Sequence, residues 1–290
     1  MPDMPERGDN YYSVDRDRID VVERPRSIWR SIYSRGWLRK SLVLILLAAI
    51  WEIYGRRIDN GLVLPTFLDT MSSLLSAFAS GELPAAAAYT IPVLLKGYLA
   101  GLILAGGLTA FASGTRIGAD LLETLTAMFN PLPSIALLPL ALLWFGLGEG
   151  AIIFVLIHAV LWAVALNTFS GFRGISPTLK MVGQNYGLSH TAYIIKILIP
   201  GAFPSILTGL KVGWAFAWRT LIAAELVFGA QGGSGGLGWF VFERKNQLLI
   251  ADVFAGLLTV ILFGLIVENV VFKTIERRTV ERWGMSGNSR

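Results

Sequence analysis

The chain has 290 residues, of which 54% are hydrophobic and 16% charged, and its mean hydropathy is +0.59. This composition indicates an integral membrane protein, because a soluble domain needs far less apolar sequence for its core. The absence of cysteine excludes disulfides and thiolate metal sites, and the presence of only two histidines argues against a histidine-rich metal site. In a membrane protein, the net charge of +5 reflects orientation in the membrane rather than nucleic-acid binding.

The N-terminal segment, residues 1–36, is polar and of mixed charge. It lacks an apolar core, so we expect a tail outside the membrane and no cleavable signal peptide. Six apolar segments follow within 37–272, and a membrane-crossing helix needs about 20 apolar residues. We therefore predict an all-α integral membrane protein with six transmembrane helices. Their predicted ranges are 37–54, 88–112, 121–145, 151–169, 203–229 and 248–272.

The second predicted span carries a lysine and two glycines. Gly97 and Gly101 have the small-xxx-small spacing that lets helices approach closely, which fits packing within the chain and a dimer seam equally well. Lys96 is expected to form an ion pair with Glu52 of the short first span.

The third predicted span contains Pro131, Pro133 and Pro139. Each proline removes a backbone donor and bends a helix. Three in one span indicate either kinks that serve packing or a broken helix that lines a cavity. In the fourth span, His158 is expected to be a hydrogen-bonded packing residue.

The segment 176–200 is too polar to span a membrane, yet it carries helix signals. We predict two helices, 177–186 and 190–199, that form a hairpin outside the membrane. The markers are Ser176 and Ser189 as N-caps, Pro177 in a first turn, Gly187 in a left-handed turn and Pro200 as the stop.

The distribution of Lys and Arg predicts the orientation. Of 25 basic residues, 18 lie at the N-terminal end, in the second–third and fourth–fifth loops and in the C-terminal tail, whereas four lie in the other two loops. Without the N-terminal end the split is nine to four, with the same sign. Because basic residues accumulate on the cytoplasmic side, we expect both termini and the hairpin in the cytoplasm.

The fifth predicted span contains Arg219 and Glu225. Charges in lipid are costly, so each is expected either to pair with another span or to border a watery path, where Arg219 would favour an anion. Lys211, at the end of this span, is expected to snorkel. Trp218, in the stretch WAFAW, either stacks on an aromatic substrate or fills a helix interface.

A G-x-G-x-x-G match at 233–238 includes Gly235, Gly236 and Gly238. A dinucleotide site would need a βαβ unit around it, whereas this match lies between two membrane spans. It therefore favours a flexible loop on the outer side. The C-terminal tail, 273–290, alternates charged and apolar residues, which predicts a basic amphipathic helix on the inner leaflet or, alternatively, a contact with a partner protein.

The hairpin resembles the cytoplasmic loop of ABC-importer permeases served by a substrate-binding protein. That loop reads Glu-Ala-Ala, three residues, Gly, nine residues, Ile-x-Leu-Pro. This chain reads Met181-Val182-Gly183, three residues, Gly187, nine residues, Ile197-Leu198-Ile199-Pro200. It departs from the pattern at Met181, Gly183 and Ile199. The stretches 138–149, 166–177, 199–229 and 235–242 are similar to the nitrate, sulfonate, taurine and bicarbonate branch.

The resemblance implies the type I ABC importer permease fold in a bacterial cytoplasmic (inner) membrane, with a homodimeric pathway. An ATPase dimer would dock on the coupling hairpin, and an extracytoplasmic substrate-binding protein would deliver the substrate. The residues implied for coupling are Lys180, Met181, Val182, Gly183, Gln184, Gly187, His190 and Pro200. The candidates for the translocation path are Pro133, Trp218, Arg219 and Glu225, and those for an outer gate are Gly235, Gly236 and Gly238.

The chain has no G-x-x-x-x-G-K-[ST] motif, so ATP and Mg would be used by the partner ATPase, and we assign no catalytic residue, metal ligand or bound cofactor here. The implied substrate is a small anion such as a sulfonate, taurine, nitrate or bicarbonate. Relatives of this branch also carry pyrimidine precursors, riboflavin and aromatic acids, so an aromatic acid or vitamin precursor is an alternative.

Two other classes of membrane protein have sequence signals that this chain lacks. An ion-coupled secondary transporter often shows paired repeats and several intramembrane carboxylates, whereas this sequence has no convincing repeat. A membrane enzyme would need clustered His, Asp or Glu residues such as H-E-x-x-H, and the sequence contains none.

Overall fold

The computed structural model describes residues 36–228 and 235–285. All regular structure in this part of the chain is helical, as predicted. The helices are α1 (Gly36–Ile58), α2 (Phe67–Ala79), α3 (Glu82–Gly114), α4 (Arg116–Phe129), α5 (Leu138–Phe145), α6 (Glu149–Arg173), α7 (Pro177–Asn185), α8 (His190–Tyr193), α9 (Ile199–Phe228), α10 (Leu237–Asn246), α11 (Ile250–Ile266) and α12 (Lys273–Glu276). A 3-10 turn covers Ser134–Leu137, and π-helical turns cover Ile194–Leu198, Val267–Phe272 and Arg277–Glu281.

Most of the predicted spans correspond to long apolar helices. Within the described residues, four continuous stretches are long and apolar enough to cross a membrane: Glu82–Gly114, Glu149–Arg173, Thr191–Val227 and Ile250–Glu281. The pair Arg116–Phe129 and Ser134–Phe145 makes a fifth if it is counted as one span. α1 occupies the first predicted span, but charged residues at both ends and Glu52 interrupt its apolar run, so it is not in this set.

The chain divides into two compact units between Ile50 and Trp51. In the described part of the first unit, every side chain from Leu42 to Leu47 is more than half exposed. All six are apolar, so this turn of α1 presents apolar groups in every direction, which is typical of a helix surrounded by lipid.

In the second unit, α6 packs between α3 and α9. A Cβ atom on Gly97 of α3 would lie 2.5 Å from the Leu156 Cβ, and one on Gly101 would lie 2.7 Å from the Val160 Cβ. On the opposite side, a Cβ atom on Gly213 of α9 would lie 2.9 Å from a Val164 methyl group. Gly97 and Gly101 therefore serve packing within the chain, and not a dimer seam.

The expected ion pair between Lys96 and Glu52 is wrong. The Lys96 Nζ lies 2.6 Å from an oxygen of Glu149, the first residue of α6, because α3 runs alongside that helix. Glu52 instead bonds Arg56, one turn further along α1, at 2.6 Å, and accepts a hydrogen bond from the Leu68 amide at 3.0 Å. Each ion pair has a basic partner that is more than half exposed, so solvent screening leaves both with little effect on stability.

The third predicted span is a broken helix. Of the two alternatives for its three prolines, the structure has the broken helix, because α4 and the segment from Ser134 meet at an angle of 87°. Pro131 and Pro133 lie in the break, where no helical hydrogen bond needs their missing N–H groups. Pro139 stands in the first turn of α5, where a proline is tolerated.

The C-terminal segment packs against α9. The Trp283 ring lies 5.4 Å from the Phe203 ring, and Val280 is buried. Lys211, expected to snorkel, instead bonds Glu276 at 2.8 Å. The helical stretch Ile250–Glu281 continues past residue 272, so the predicted tail begins within a helix.

Candidate functional site

A cavity of about 380 Å³ lies beside the break between α4 and α5. Its first wall is the irregular segment 130–135, and its second wall is α6, which contributes His158 and Trp162 one helical turn apart. The third wall is one face of α9, formed by Phe216, Arg219, Thr220 and Ala223. The cavity exists because the broken span does not fill the space in front of α6 and α9.

Arg219 is the charged residue of this cavity wall. Its Nε donates a hydrogen bond to the Ala215 carbonyl at 3.0 Å, and its guanidinium lies 5.1 Å from the centre of the Phe216 ring. No carboxylate in residues 36–228 and 235–285 forms an ion pair with it. The predicted pairing of Arg219 with another span is therefore not found in this part of the chain, and its positive charge is available to the cavity.

Three further polar side chains, those of Ser134, His158 and Trp162, line the same cavity as Arg219. The Ser134 hydroxyl lies 3.2 Å from the His158 Nδ1. The His158 Nε2 and the Trp162 Nε1 are both buried and have no hydrogen-bond partner among the described residues. The Phe129 ring stacks on the Trp162 indole with centroids 5.3 Å apart, which holds the indole in place.

Two of the four path candidates do not line this cavity. Glu225 is 2% exposed, and it accepts 2.8 Å hydrogen bonds from the Thr90 hydroxyl and the Gly238 amide instead of forming an ion pair. Trp218 packs against Phe263 of α11 with ring centroids 4.8 Å apart, so it fills a helix interface. Pro133 and Arg219 are the candidates that the cavity brings together.

The glycines predicted to gate the pathway are required by packing. A Cβ atom on Gly236 would overlap the Glu225 carboxylate, and one on Gly238 would lie 2.7 Å from the Glu225 Cβ. A Cβ atom on Gly235 would overlap the Trp239 indole. The described part of this loop is therefore closely packed. The preceding residues of the loop lie outside the described residues, so the expected flexibility stays a prediction.

The hairpin turn forms as predicted. Gly187 has a φ of +59°, the left-handed conformation that favours glycine. The Leu188 amide donates a hydrogen bond to the Gly183 carbonyl at 3.3 Å, the pattern that ends a helix at a left-handed residue. Ser176 and Ser189 accept hydrogen bonds of 3.4 Å from the amides three residues later, so both act as N-caps.

Pro200 does not end the second helix, and this prediction is wrong. The helical stretch Thr191–Val227 is continuous through it. A π-helical turn, Ile194–Leu198, precedes the proline, and the Ile199 amide bonds the Ile194 carbonyl. Pro200 therefore directly follows a π-helical turn within a continuous helix, and this local change of the hydrogen-bond pattern accommodates its missing N–H. The second arm of the hairpin is the beginning of the next span.

The two arms touch at Gly183. A Cβ atom on Gly183 would lie 2.6 Å from the Tyr193 Cδ2 and 2.7 Å from its Cε2, so the ring packs directly on the backbone of α7. Met181 and Val182 are exposed. The remaining coupling candidates, whose side chains lie outside the described residues, are Lys180, Gln184 and His190.

Sequence analysis missed several residues of the cavity. Trp162 follows His158 by four residues, and Thr220 follows Phe216 by four, so each pair shares a helix face. The four-residue spacing predicts a shared helix face within each pair, but nothing in the sequence shows that these two faces meet at the proline break. In residues 36–228 and 235–285 no group of His, Asp and Glu could hold a metal ion.

The chain is similar to known membrane transport proteins. Residues 97–280 match the family described as "Binding-protein-dependent transport system inner membrane component". A putative ABC transporter permease protein of Methanocaldococcus jannaschii is 30% identical over 252 residues, which cover 86% of this chain and 93% of that protein. A putative aliphatic sulfonates transport permease of Bacillus subtilis is 28% identical over 250 residues (85% and 88%). The taurine transport system permease of Escherichia coli is 29% identical over 259 residues (86% and 91%).

Proposed function

This chain belongs to the family of inner-membrane components of binding-protein-dependent transport systems, and we propose that it forms half of a homodimeric pathway that imports a small organic or inorganic anion. It is a multi-pass permease subunit of an ABC importer and not an enzyme, because ATP hydrolysis belongs to a separate ATPase subunit. Such an importer also works with a substrate-binding protein.

Arg219, which lines the cavity and forms no ion pair with a described residue, carries the proposal of an anion. A guanidinium without an acidic partner attracts negative charge, so Arg219 favours an anion in the cavity that it lines. No Asp or Glu stands among the described residues that line the cavity. The sulfonate and taurine permeases among the relatives support the same class of substrate.

We place the hairpin and both termini in the cytoplasm. Near the hairpin, Lys196, Lys273 and Arg277 form no ion pair with a described residue, whereas Arg173 pairs with Glu123. In the two loops predicted to lie outside, Arg56 and Arg244 form ion pairs with acidic residues, and Arg57 and Lys245 have none among the described residues. An excess of positive charge on one side marks the cytoplasmic face.

The continuous helix from the hairpin into the membrane supplies a mechanical link. Exposed Met181 and Val182 on α7 offer apolar contacts for an ATPase surface. The second arm runs without interruption from Thr191 to Val227, and Arg219 lies on it. At about 1.5 Å per residue, roughly 40 Å of helix joins the hairpin to the cavity. A displacement of the hairpin by ATP-driven closure would therefore move one wall of the cavity.

Reconstitution tests this function. The chain is placed in proteoliposomes with its partner ATPase and substrate-binding protein, and uptake of radiolabelled taurine, ethanesulfonate, nitrate and bicarbonate is measured. We expect uptake of at least one anion that requires ATP, both partners and two copies of this chain per complex. Uptake driven by an ion gradient without the ATPase, or a complex with one copy of this chain, contradicts the proposal.

A further inference from the structure

We propose that the cavity between α4, α6 and α9 is a binding subsite for an organic oxyanion, a sulfonate or carboxylate whose carbon tail lies on the aromatic wall. The inference rests on the proposed import of an anion. It adds that the membrane subunit itself recognises the ligand, and it names the groups that do so.

Arg219 supplies the charge of the subsite. A guanidinium carries five N–H donors in a planar fork that matches two oxygens of a sulfonate or carboxylate. One of these donors, Nε–H, is engaged by the Ala215 carbonyl one turn earlier on α9. The remaining N–H groups have no acceptor among the described residues, so they are available to a ligand in the cavity.

Ser134 and His158 supply a neutral donor. Together, a serine hydroxyl and a neutral imidazole hold two hydrogens, and their 3.2 Å contact uses one of them. If Ser134 donates to Nδ1, the His158 Nε2 carries the other hydrogen. If Nδ1 donates to Ser134, the serine hydroxyl hydrogen is free. Either tautomer therefore leaves one hydrogen for an oxygen of the ligand.

Trp162 supplies a second neutral donor. The indole is 8% exposed, and its Nε1–H has no acceptor in the described part of the chain. A buried N–H without a partner is rare in native structures because the unmet hydrogen bond is costly. An oxyanion in the adjoining cavity provides the missing acceptor.

The size and walls of the cavity favour an organic ligand over a bare inorganic ion. Its volume of about 380 Å³ falls in the range of small-molecule pockets. A nitrate ion would fill little more than the volume of one or two water molecules in the liquid. The Phe129 and Phe216 rings line it together with Leu132 and Ile135. These apolar groups would cover a short alkyl chain or an aryl ring.

Direct binding tests the subsite. The permease–ATPase complex is placed in lipid nanodiscs without the substrate-binding protein and titrated calorimetrically with benzenesulfonate, nitrate and benzylammonium. We expect benzenesulfonate to bind more tightly than nitrate by at least tenfold, and benzylammonium not to bind. Arg219→Gln is expected to weaken benzenesulfonate binding by tenfold or more, because hydrogen bonds to charged groups are the strong ones.

A matched pair of tryptophan variants separates recognition from folding. Trp162→Phe keeps an aromatic ring but removes the N–H, so we expect binding to weaken about three- to tenfold. Trp214→Phe is the control, because the Trp214 Nε1 is also buried and unpartnered among the described residues but lies against Tyr98 and not in the cavity. Its effect on binding is expected to be below twofold.

Two results overturn the inference: no benzenesulfonate binding to the wild-type complex at millimolar concentration, or equal losses in the two tryptophan variants. Neither result contradicts the proposed function, because ATP-dependent uptake in proteoliposomes would persist with recognition left to the substrate-binding protein. Failure of that uptake contradicts the proposed function itself.

Discussion

Thr90 and Glu225 are 135 residues apart in the chain, and the Thr90 hydroxyl donates a 2.8 Å hydrogen bond to the buried Glu225 carboxylate. The same two side chains hold the beginning of α10. The Leu237 amide donates to the Thr90 Oγ1 and the Gly238 amide donates to the Glu225 carboxylate, each at 2.8 Å. Because the first amides of a helix lack acceptors within it, this pair ties α3, α9 and α10 together at one point.

Removing the Glu225 carboxylate tests that connection. In Glu225→Ala, the buried Gly238 amide loses its acceptor, and an unmet buried donor costs about 1–3 kcal/mol. We expect a matching loss in the free energy of unfolding of the purified protein, and a smaller loss for Glu225→Gln, which retains an acceptor oxygen. Glu149→Ala is the control, because its ion pair with Lys96 is exposed. Equal losses in Glu225→Ala and Glu149→Ala would contradict the structural role.

Two glycines of α3 allow a test of packing. Gly97→Ala places a methyl group 2.5 Å from the Leu156 Cβ, so α3 and α6 must separate, and we expect a loss of about 1–3 kcal/mol in unfolding free energy. Gly107→Ala on the same helix meets no atom within 4 Å, so it should be neutral or slightly stabilising. Thermal unfolding in detergent measures both. The packing argument fails if Gly107→Ala is the more harmful substitution.

The left-handed turn at Gly187 tests the link to the ATPase. A β-branched residue there must adopt a φ near +59°, which costs about 1–2 kcal/mol and distorts the turn. For Gly187→Val we expect normal membrane insertion but loss of transport and of ATPase stimulation. Gly81→Val is the matched control, because Gly81 has a φ of +85° and, like Gly187, no neighbour within 4 Å. Normal transport by Gly187→Val would count against the hairpin as the coupling element.

The contact between Gly183 and Tyr193 predicts a compensating pair. In Gly183→Ala the new methyl group lies 2.6 Å from the Tyr193 ring, so the arms of the hairpin must part, and we expect weaker ATPase stimulation. The double variant Gly183→Ala/Tyr193→Leu lacks the ring, so we expect it to recover much of the lost ATPase stimulation. Contacting residues of this kind show coupling energies of about 0.5–3 kcal/mol in a double-mutant cycle. Additive effects would show that the two arms do not press on each other there.

Local features of the fold could be predicted from the sequence because they depend on neighbours in the chain. Apolar runs near the length of a membrane core identified the helices Glu82–Gly114, Glu149–Arg173 and Ile250–Glu281. The turn at Gly187 followed from the rule that glycine alone adopts a left-handed conformation cheaply. Ser176 and Ser189 act as caps within three residues of their partners.

Tertiary contacts decided the rest. The hydrogen-bond acceptors for the first amides of α10 come from two residues that are 135 positions apart in the chain. The two helices at the proline break meet at 87°, and the helix continues through Pro200 because a π-helical turn precedes it. The cavity draws its walls from three separate segments, and the partners of Lys96 and Lys211 follow from which helices are adjacent. Periodicity and propensity describe one helix at a time, whereas a site between helices depends on which faces meet, and that choice is made by close packing across the whole second unit.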